Sequence, residues 1–258
     1  MKISFFYEKL IEIFHPEIQE DWDNSGKQLF FGDDELSGIM TSLDFSPSVL
    51  EQAVTDSANL IVTHHPLFFE TVKSFDYSES LQSAFLRAAA KRISIVSFHT
   101  CADRLYLKDL AESAFGKACT VSDDELFAFS DFSGMTLAGL IECVKKNIGI
   151  EMLSYCGIES MELKKVAFLN GSGGSEAEKI LKKSEINGIN CVITGDVTFH
   201  KAHFAEANGF AIIDGTHFAT EKKITDLMKR DIRDCLTNNA LSGVKVVSAV
   251  ERSPLKIC

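Results

Sequence analysis

The chain has 258 residues, of which 45% are hydrophobic and 24% charged, and this balance predicts a soluble globular protein with one large or two small domains. Its 37 acidic and 26 basic residues give a formal net charge of −11, which disfavours broad nucleic-acid binding but leaves a local basic pocket open. No apolar stretch reaches the ~20 residues that span a bilayer, and seven cysteines without a CxxC pair predict reduced thiols in a cytoplasmic protein.

The first half of the chain alternates between strand and helix patterns. The N-terminal segment predicts an amphipathic helix rather than a signal peptide, because Glu8 and Glu12 interrupt its apolar residues. After it, we predict strands over 38–44, 60–63 and 93–98 and helices over 48–57, 79–91 and 105–115. Such βαβ units favour a mostly parallel sheet.

The pattern restarts after about residue 125. The predicted strands are LFAFSDF, KKVAFLN, NCVITGD, FAIIDG and VKVVSAV, and the predicted helices are TLAGLIECVKKNIG, 175–185 and 219–236. The fold class is therefore α/β, with two halves and a boundary near 125–130. No proline-rich or glycine-rich linker separates the halves, so we expect them to pack firmly.

Four segments end an apolar run with side chains that commonly bind metals. They are LIVTHHP (60–66), ISIVSFHTCAD (93–103), CVITGDVTFH (191–200) and AIIDGTHFATE (211–221), and they hold five of the seven histidines. The carboxyl ends of strands are where open α/β sheets place their binding sites. The sequence therefore predicts that the functional site lies at these strand ends.

His64 and His65 are adjacent at the first of these ends. On an extended chain they point to opposite faces, so we expect them to serve two ions, or one ion and a supporting hydrogen bond. A loop-capping role for one of them is the alternative. His99 and Asp103 follow the next strand, and the intervening Cys101 is more typical of a small packing residue.

The second half offers two further groups. His217 and Glu221 are four residues apart, so a helix that begins near Phe218 places both on one side of its first turn, although the helix dipole alone would favour a carboxylate there. His200 and His203 are more typical of a solvated helix surface. Asp196 is the better candidate in that segment, with capping of the next turn as its alternative.

Together these segments provide at least three imidazoles and two carboxylates. This mixture of N and O ligands indicates a site for Zn²⁺, Mn²⁺, Fe²⁺ or Ni²⁺ rather than a thiolate site. Five such ligands are too many for one catalytic ion with open positions, but they suit two divalent ions ~3.5–4 Å apart that share one carboxylate.

Two other segments carry weaker signals. The loop NGSGGSEAEK (170–179) joins a strand to a helix, so its amides would either dock a phosphate or form a plain structural turn. The segment DWDNSGKQLFFGDD (21–34) holds the only tryptophan, and Trp22, Asp23 and Asn24 would form either a substrate-facing edge or a well-bonded turn.

Taken in order from residue 21 to 221, six segments resemble the signatures of the Nif-three-like family, whose bacterial members are labelled GTP cyclohydrolase I type II homologues. The matching segments are WDNSGKQLFFG, THHPLFF, SFHTCAD, GSGGS, TGDVTFH and GTHFATE. There are three departures from the family pattern: Lys27, the pair Cys101 and Ala102, and Phe218, which lacks the hydroxyl of the more common tyrosine.

The resemblance implies a dinuclear metal site on His64, His65, Asp103, His217 and Glu221, with Glu221 as the bridge. It also implies two related α/β domains with mixed, mostly parallel sheets and exchanged C-terminal strands, in the short form of the family. The expected domains are 1–127 with a C-terminal strand from about 240–258, and 128–239, with the metal site at their interface. The implied assembly is a ring-shaped homohexamer.

Two functional hypotheses follow. One is a metal-dependent hydrolase of a small, phosphorylated or nucleotide-like substrate, in which His99 or Asp196 transfers a proton. The other is a metal-binding, metal-delivery or scaffold assembly without catalysis, and turnover separates the two. Membrane and nucleic-acid partners are not expected.

Overall fold

The computed structural model describes residues 1–124, 126–239, 241 and 243–256. The helices are α1 (Ile3–Phe14), α2 (Pro47–Thr55), α3 (Ser80–Ala90), α4 (Thr100–Phe115), α5 (Leu137–Ile148), α6 (Gly174–Lys182), α7 (Ser184–Asn187), α8 (Phe199–Ala207), α9 (His217–Glu221) and α10 (Ile224–Asn238). The strands are β1 (Gly26–Leu29), β2 (Gly38–Ser42), β3 (Leu60–Thr63), β4 (Ser94–Ser97), β5 (Thr120–Val121), β6 (Ala128–Asp131), β7 (Ser154–Cys156), β8 (Lys165–Phe168), β9 (Ile189–Thr194), β10 (Ala211–Asp214) and β11 (Lys245–Ser248).

The backbone divides into two compact units. One comprises Met1–Leu105 and Ile224–Arg252, and the other comprises Tyr106–Lys223 with the last residues of the chain from Ser253. Each unit has its own sheet, so the predicted α/β class with mixed sheets is confirmed.

The first sheet has the strand order β1-β4-β3-β2-β11. The pairs from β4 to β11 are parallel, and only β1 runs antiparallel to its neighbour. The last strand of the chain therefore returns to the first unit, where Val246 lies opposite Ile39, as the resemblance implied. Strands β2, β3 and β4 are buried along their whole length, which explains their continuous apolar runs.

Helices α2 and α3 cover one face of this sheet. Leu50 and Ala53 of α2 and Ala84 and Ala88 of α3 pack in one cluster with Met40, Ile61 and Ile95 of the strands. Small alanine side chains allow α3 to approach closely, and the burial of this apolar surface stabilises the layer.

The second sheet has the order β5-β6-β8-β9-β10-β7. Strands β8, β9 and β10 are parallel to one another, whereas the pairs β5–β6, β6–β8 and β10–β7 are antiparallel. Helices α6 and α8 cover it through a cluster that includes Ala177, Leu181, Val192, Ala205 and Ile212.

Two helical predictions differ from the structure. Helix α4 begins at Thr100 rather than near residue 105, and the helix expected over 219–236 is two helices that are interrupted after Glu221. The described residues contain no helix that is both long and apolar enough to cross a membrane.

Candidate metal centre

In the first unit, three parallel strands end at one edge of the sheet. The chain leaves β2 towards Asp44, β3 directly into His64 and His65, and β4 towards His99. Since neighbouring parallel strands bring their carboxyl ends together, residues distant in sequence become neighbours at this edge.

The three imidazoles of this edge form a compact cluster. The ring centroid of His64 lies 4.7 Å from that of His65 and 5.1 Å from that of His99, and the last two are 5.3 Å apart. Each ring offers one nitrogen, and the three nitrogens lie within 4.8 Å of one another, so the group could hold a metal ion.

The prediction that His64 and His65 point to opposite faces is wrong. Strand β3 ends at Thr63, and the two histidines lie in a bend. Their amides donate to the carbonyls of Ser42 at 2.9 Å and Leu43 at 2.8 Å. The period-two alternation of an extended strand therefore no longer applies to them.

Each imidazole of this edge is oriented by an acceptor. Nδ1 of His64 lies 3.2 Å from the Phe98 carbonyl oxygen, Nδ1 of His65 lies 3.0 Å from Asp44 Oδ1, and Nδ1 of His99 lies 2.9 Å from Asp23 Oδ1. Because carbonyl and carboxylate oxygens only accept, Nδ1 is the donor in each neutral ring. That tautomer presents Nε2 with a lone pair, which is the arrangement common in metal-binding histidines.

Asp103 lies in the first turn of α4, and its Oδ1 is 3.3 Å from Nε2 of buried His64. The early start of this helix has a distant cause, since Asp23 accepts hydrogen bonds from the Thr100 amide at 2.9 Å and its hydroxyl at 2.6 Å. Burial alone would raise the pKa of Asp23, but hydrogen bonds from His99 and Thr100 hold it well below its usual value.

Cys101 is a packing residue, as the sequence pattern favoured. Its side chain is fully buried and lies 3.8 Å from Ser25 Oγ. Burial raises the pKa of the Cys101 thiol to about 11, so the residue is a thiol rather than a thiolate at neutral pH.

In the second unit, β9 and β10 end side by side and lead into Asp196 and His217. Nδ1 of His217 lies 2.6 Å from Asp196 Oδ2, and Nε2 lies 3.0 Å from Oε2 of Glu221, which is almost fully buried. Hydrogen bonding to Glu221, assisted by Asp196, raises the pKa of His217 to about 9 against the opposing effect of burial. His217 and Glu221 share one side of α9, as predicted.

The glycine-rich loop after β8 makes room for the Glu221 carboxylate. Gly171 has φ +56°, and a Cβ at this position would lie 1.8 Å from Glu221 Oε1. The Gly171 amide donates to Thr220 Oγ1 at 3.0 Å, and the Gly173 amide donates to Thr194 Oγ1 at 2.9 Å. Two amides that a phosphate would need are thus already bonded, which favours the structural interpretation of this loop.

The turns around His217 are strained. Asp196 and Thr216 have φ values of 54° and 65°, in the left-handed region that favours glycine. A Cβ at Gly195 would lie 2.5 Å from the His217 amide nitrogen, so only glycine permits this approach. Such strain concentrates where the surrounding structure holds functional side chains in place.

The structure also places the remaining candidates. His200 and His203 are exposed on α8, where the ring of His203 stacks with that of Phe199. The sequence prediction missed Asp44 as a partner of His65, although a carboxylate two residues beyond a buried strand was a usable signal. It named Asp23 without finding its role in orienting His99.

These observations define a class of protein: an α/β protein in which histidines and carboxylates at the strand ends form groups that could hold a metal ion. The chain belongs to the Duf34/NIF3 (NGG1p interacting factor 3) family, whose model matches residues 1–254.

Several known proteins are similar to this chain in sequence or in fold. A Campylobacter jejuni protein named GTP cyclohydrolase 1 type 2 homolog is 29% identical over 99% of both chains. A Helicobacter pylori protein named GTP cyclohydrolase 1 type 2 is 31% identical over 80% of this chain and 81% of its own. The crystal structure of Staphylococcus aureus protein SA1388 has a TM-score of 0.88 and 18% identity, and covers 100% of this chain and 99% of its own, which shows the same fold.

Proposed function

We propose that the protein is a metal-dependent hydrolase that binds two divalent ions and acts on a small, phosphorylated or nucleotide-like substrate. The observation that carries this proposal is the shared design of the imidazoles: His64, His65, His99 and His217 each have Nδ1 bonded to an acceptor. A metal-binding histidine commonly donates its other ring N–H to a carboxylate or carbonyl oxygen, and these rings have such an acceptor at Nδ1.

The donors fit a pair of ions of borderline softness. His64, Asp103 and Glu221 would hold one ion, and His65, His217 and Glu221 the other. When bound, such a pair supplies Lewis acidity that polarises a substrate oxygen and lowers the pKa of water.

The other residues would orient ligands or transfer protons. Asp44 and Asp196 hold the rings of His65 and His217 by their Nδ1 atoms, and Asp23 does so for His99. His99 and Asp196 are the proposed proton-transfer groups. A ring nitrogen of His99 and a carboxylate oxygen of Asp196 lie beside the predicted metal ligands.

Metal stoichiometry tests the centre. We expect about two ions per chain in the wild type and a large loss of both in Glu221→Gln, because that change removes the shared charge. Glu206→Gln, on the exposed surface of α8, is the control and should keep both ions. Full occupancy in Glu221→Gln would contradict the bridging role.

Turnover tests the enzymatic part. The protein loaded with Mn²⁺, Zn²⁺ or Fe²⁺ should hydrolyse at least one member of a panel of phosphoesters, nucleotides and cyclic amides. Ring-opening of a guanine nucleotide enters the panel because of the names of the relatives. If the protein binds metal tightly and exchangeably but no metal form turns over a substrate, the result would instead favour metal delivery or a scaffold.

A further inference from the structure

In the first unit, the exposed aromatic rings of Trp22 and Phe69 lie beside His99 of the histidine cluster. The centroid of the Trp22 ring lies 5.7 Å from that of His99, and the Phe69 centroid lies 5.6 Å from His99. Both rings stand at steep angles to the imidazole, 73° and 77°, while the planes of Trp22 and Phe69 differ by only 31°.

The two outer rings are exposed although they are large and apolar. Trp22 is 62% exposed and Phe69 is 53% exposed. Exposed aromatic residues are common singly, but two that flank a buried polar cluster form a contiguous apolar face at a predicted site.

His99, which contacts both rings, is held in place by hydrogen bonds. His99 is fixed by Asp23 at Nδ1, and its amide donates to Ser25 Oγ at 2.9 Å. Asp23 is in turn held by Thr100. A ligand that contacts His99 would therefore meet a surface that needs no ordering, which lowers the cost of binding.

We propose that Trp22 and Phe69 form a stacking clamp for a planar, uncharged heterocyclic ring of the substrate. A ring between two aromatic planes needs about 7 Å between their centroids, twice the ~3.5 Å contact distance. Trp22 and Phe69 are 6.4 Å apart, so a small outward rotation of exposed Phe69 admits such a ring.

A planar neutral ring fits this clamp better than a cation does. Aromatic faces also attract quaternary ammonium groups, but two divalent ions beside His99 would repel a cationic ligand. This argument rests on the proposed dinuclear centre. Aliphatic side chains would suffice for an aliphatic ligand, whereas π-faces add stacking with every nucleobase.

Trp22 is the only tryptophan, so fluorescence excited beyond the absorption of the four tyrosines reports on the clamp. The probes are guanosine, ribose as the control without a base and choline as the cationic control, each with metal-loaded and chelated protein. We expect saturable quenching by guanosine and none by the other two. No saturable change with guanosine, or binding of choline instead, would overturn the clamp.

Substitution of Phe69 tests the second aromatic ring of the clamp. Phe69→Leu keeps an apolar side chain but loses the π-face, so we expect guanosine to bind about tenfold more weakly. Tyr77→Leu, a change at a 64% exposed aromatic residue in the same unit, is the matched control and should bind normally. Equal guanosine affinity in Phe69→Leu and Tyr77→Leu would refute the clamp.

The clamp and the proposed function fail in distinguishable ways. Intact metal stoichiometry with no guanosine quenching removes the clamp and leaves the metal centre. Guanosine quenching in a protein that binds no metal keeps the clamp as a ring-binding site and removes the hydrolase proposal. Concentration-dependent burial of Trp22 by self-association would mean that a second copy covers this face, and that result also overturns the clamp.

Discussion

At the scale of single residues, the carboxylates that orient the histidine rings are part of the proposed metal centre. Asp44 is 63% exposed at its side chain, yet it bonds Nδ1 of His65. An exposed carboxylate adds little to folding, so its contribution concerns the orientation and basicity of the ring. A substitution of Asp44 should therefore change metal binding without changing the stability of the fold.

We predict that Asp44→Asn weakens metal affinity by about 10- to 100-fold, because the amide holds the ring less firmly and no longer raises its basicity. The melting temperature of the metal-free protein should barely change. Competition with a chelating dye measures the affinity, and Asp33→Asn, at an exposed position of the same unit, is the control. Unchanged affinity in Asp44→Asn would show that Asp44 does not support a ligand.

Gly171 gives the sharpest steric test. In Gly171→Ala the new methyl group would collide with Glu221 Oε1, so the carboxylate must move. We predict loss of bound metal and a lower free energy of unfolding, by about 1 kcal/mol or more from the backbone alone.

The matched control is Gly209→Ala. Gly209 has a similar φ of +71°, but nothing lies within 4 Å of the position that a Cβ would take there, so this variant has the backbone strain without the collision. It should lose stability and keep its metal. Equal metal loss in both variants would assign the effect to unfolding rather than to Glu221.

At the scale of elements, one carboxylate connects two helices of the second unit. Glu178 of α6 pairs with Lys182 on its own helix at 2.6 Å and with Lys201 of α8. Hydrogen bonds from these lysines lower the pKa of Glu178 from 4.5 to about 2. A lowered pKa contributes stability that is complete above pH 4.5 and disappears as the pH falls towards 2.

We therefore predict that Glu178→Gln lowers the urea midpoint at neutral pH and has little effect near pH 2, where the wild-type carboxylate is already about half protonated. The control is Glu176→Gln, whose ion pair with Lys179 lies within α6. A midpoint difference that stays constant across this pH range would contradict the pairing.

Strand β11 shows how the last element of the chain stabilises the first unit. Val246 is 3% exposed and pairs across from Ile39. We predict that Val246→Asp lowers the free energy of unfolding by about 3 kcal/mol, because a carboxylate would be buried without a partner. Lys245→Thr, at the exposed neighbouring position, should cost less than about 1 kcal/mol in the same denaturant titration.

At the scale of the whole molecule, the resemblance to the family predicts an assembly. We expect a hexamer, with a mass about six times the 28.5 kDa of one chain. Light scattering coupled to size exclusion measures this mass directly. A monomer or dimer at micromolar concentration would refute the expected ring.

The sequence predicted the central strands and the edge strand β11 well, but it missed the other three edge strands of the described sheets. β2, β3, β4, β8, β9 and β10 are apolar runs buried in the sheets, and each was expected within two residues. β1, β5 and β7 were not, because a short edge strand such as Thr120–Val121 is paired on one side only and carries no apolar run.

The candidate site likewise has features that the sequence predicts and features that it does not. The residue types and their positions after buried strands were readable, since parallel strands must end at a shared edge. The bend at His64 and His65 was not, because it depends on hydrogen bonds to the carbonyls of Ser42 and Leu43, about twenty residues earlier. The start of α4 likewise depends on Asp23, a capping partner 77 residues from Thr100.

The sequence by itself determined the α/β class, the family and the strand ends that carry the imidazoles and carboxylates, because apolar periodicity and residue order are local properties. Only the tertiary structure decided which acceptor orients each ring, why Gly171 must lack a side chain and which strand edge receives β11. Those features depend on distances of a few ångströms between residues far apart in the chain, and such distances exist only once the backbone has folded.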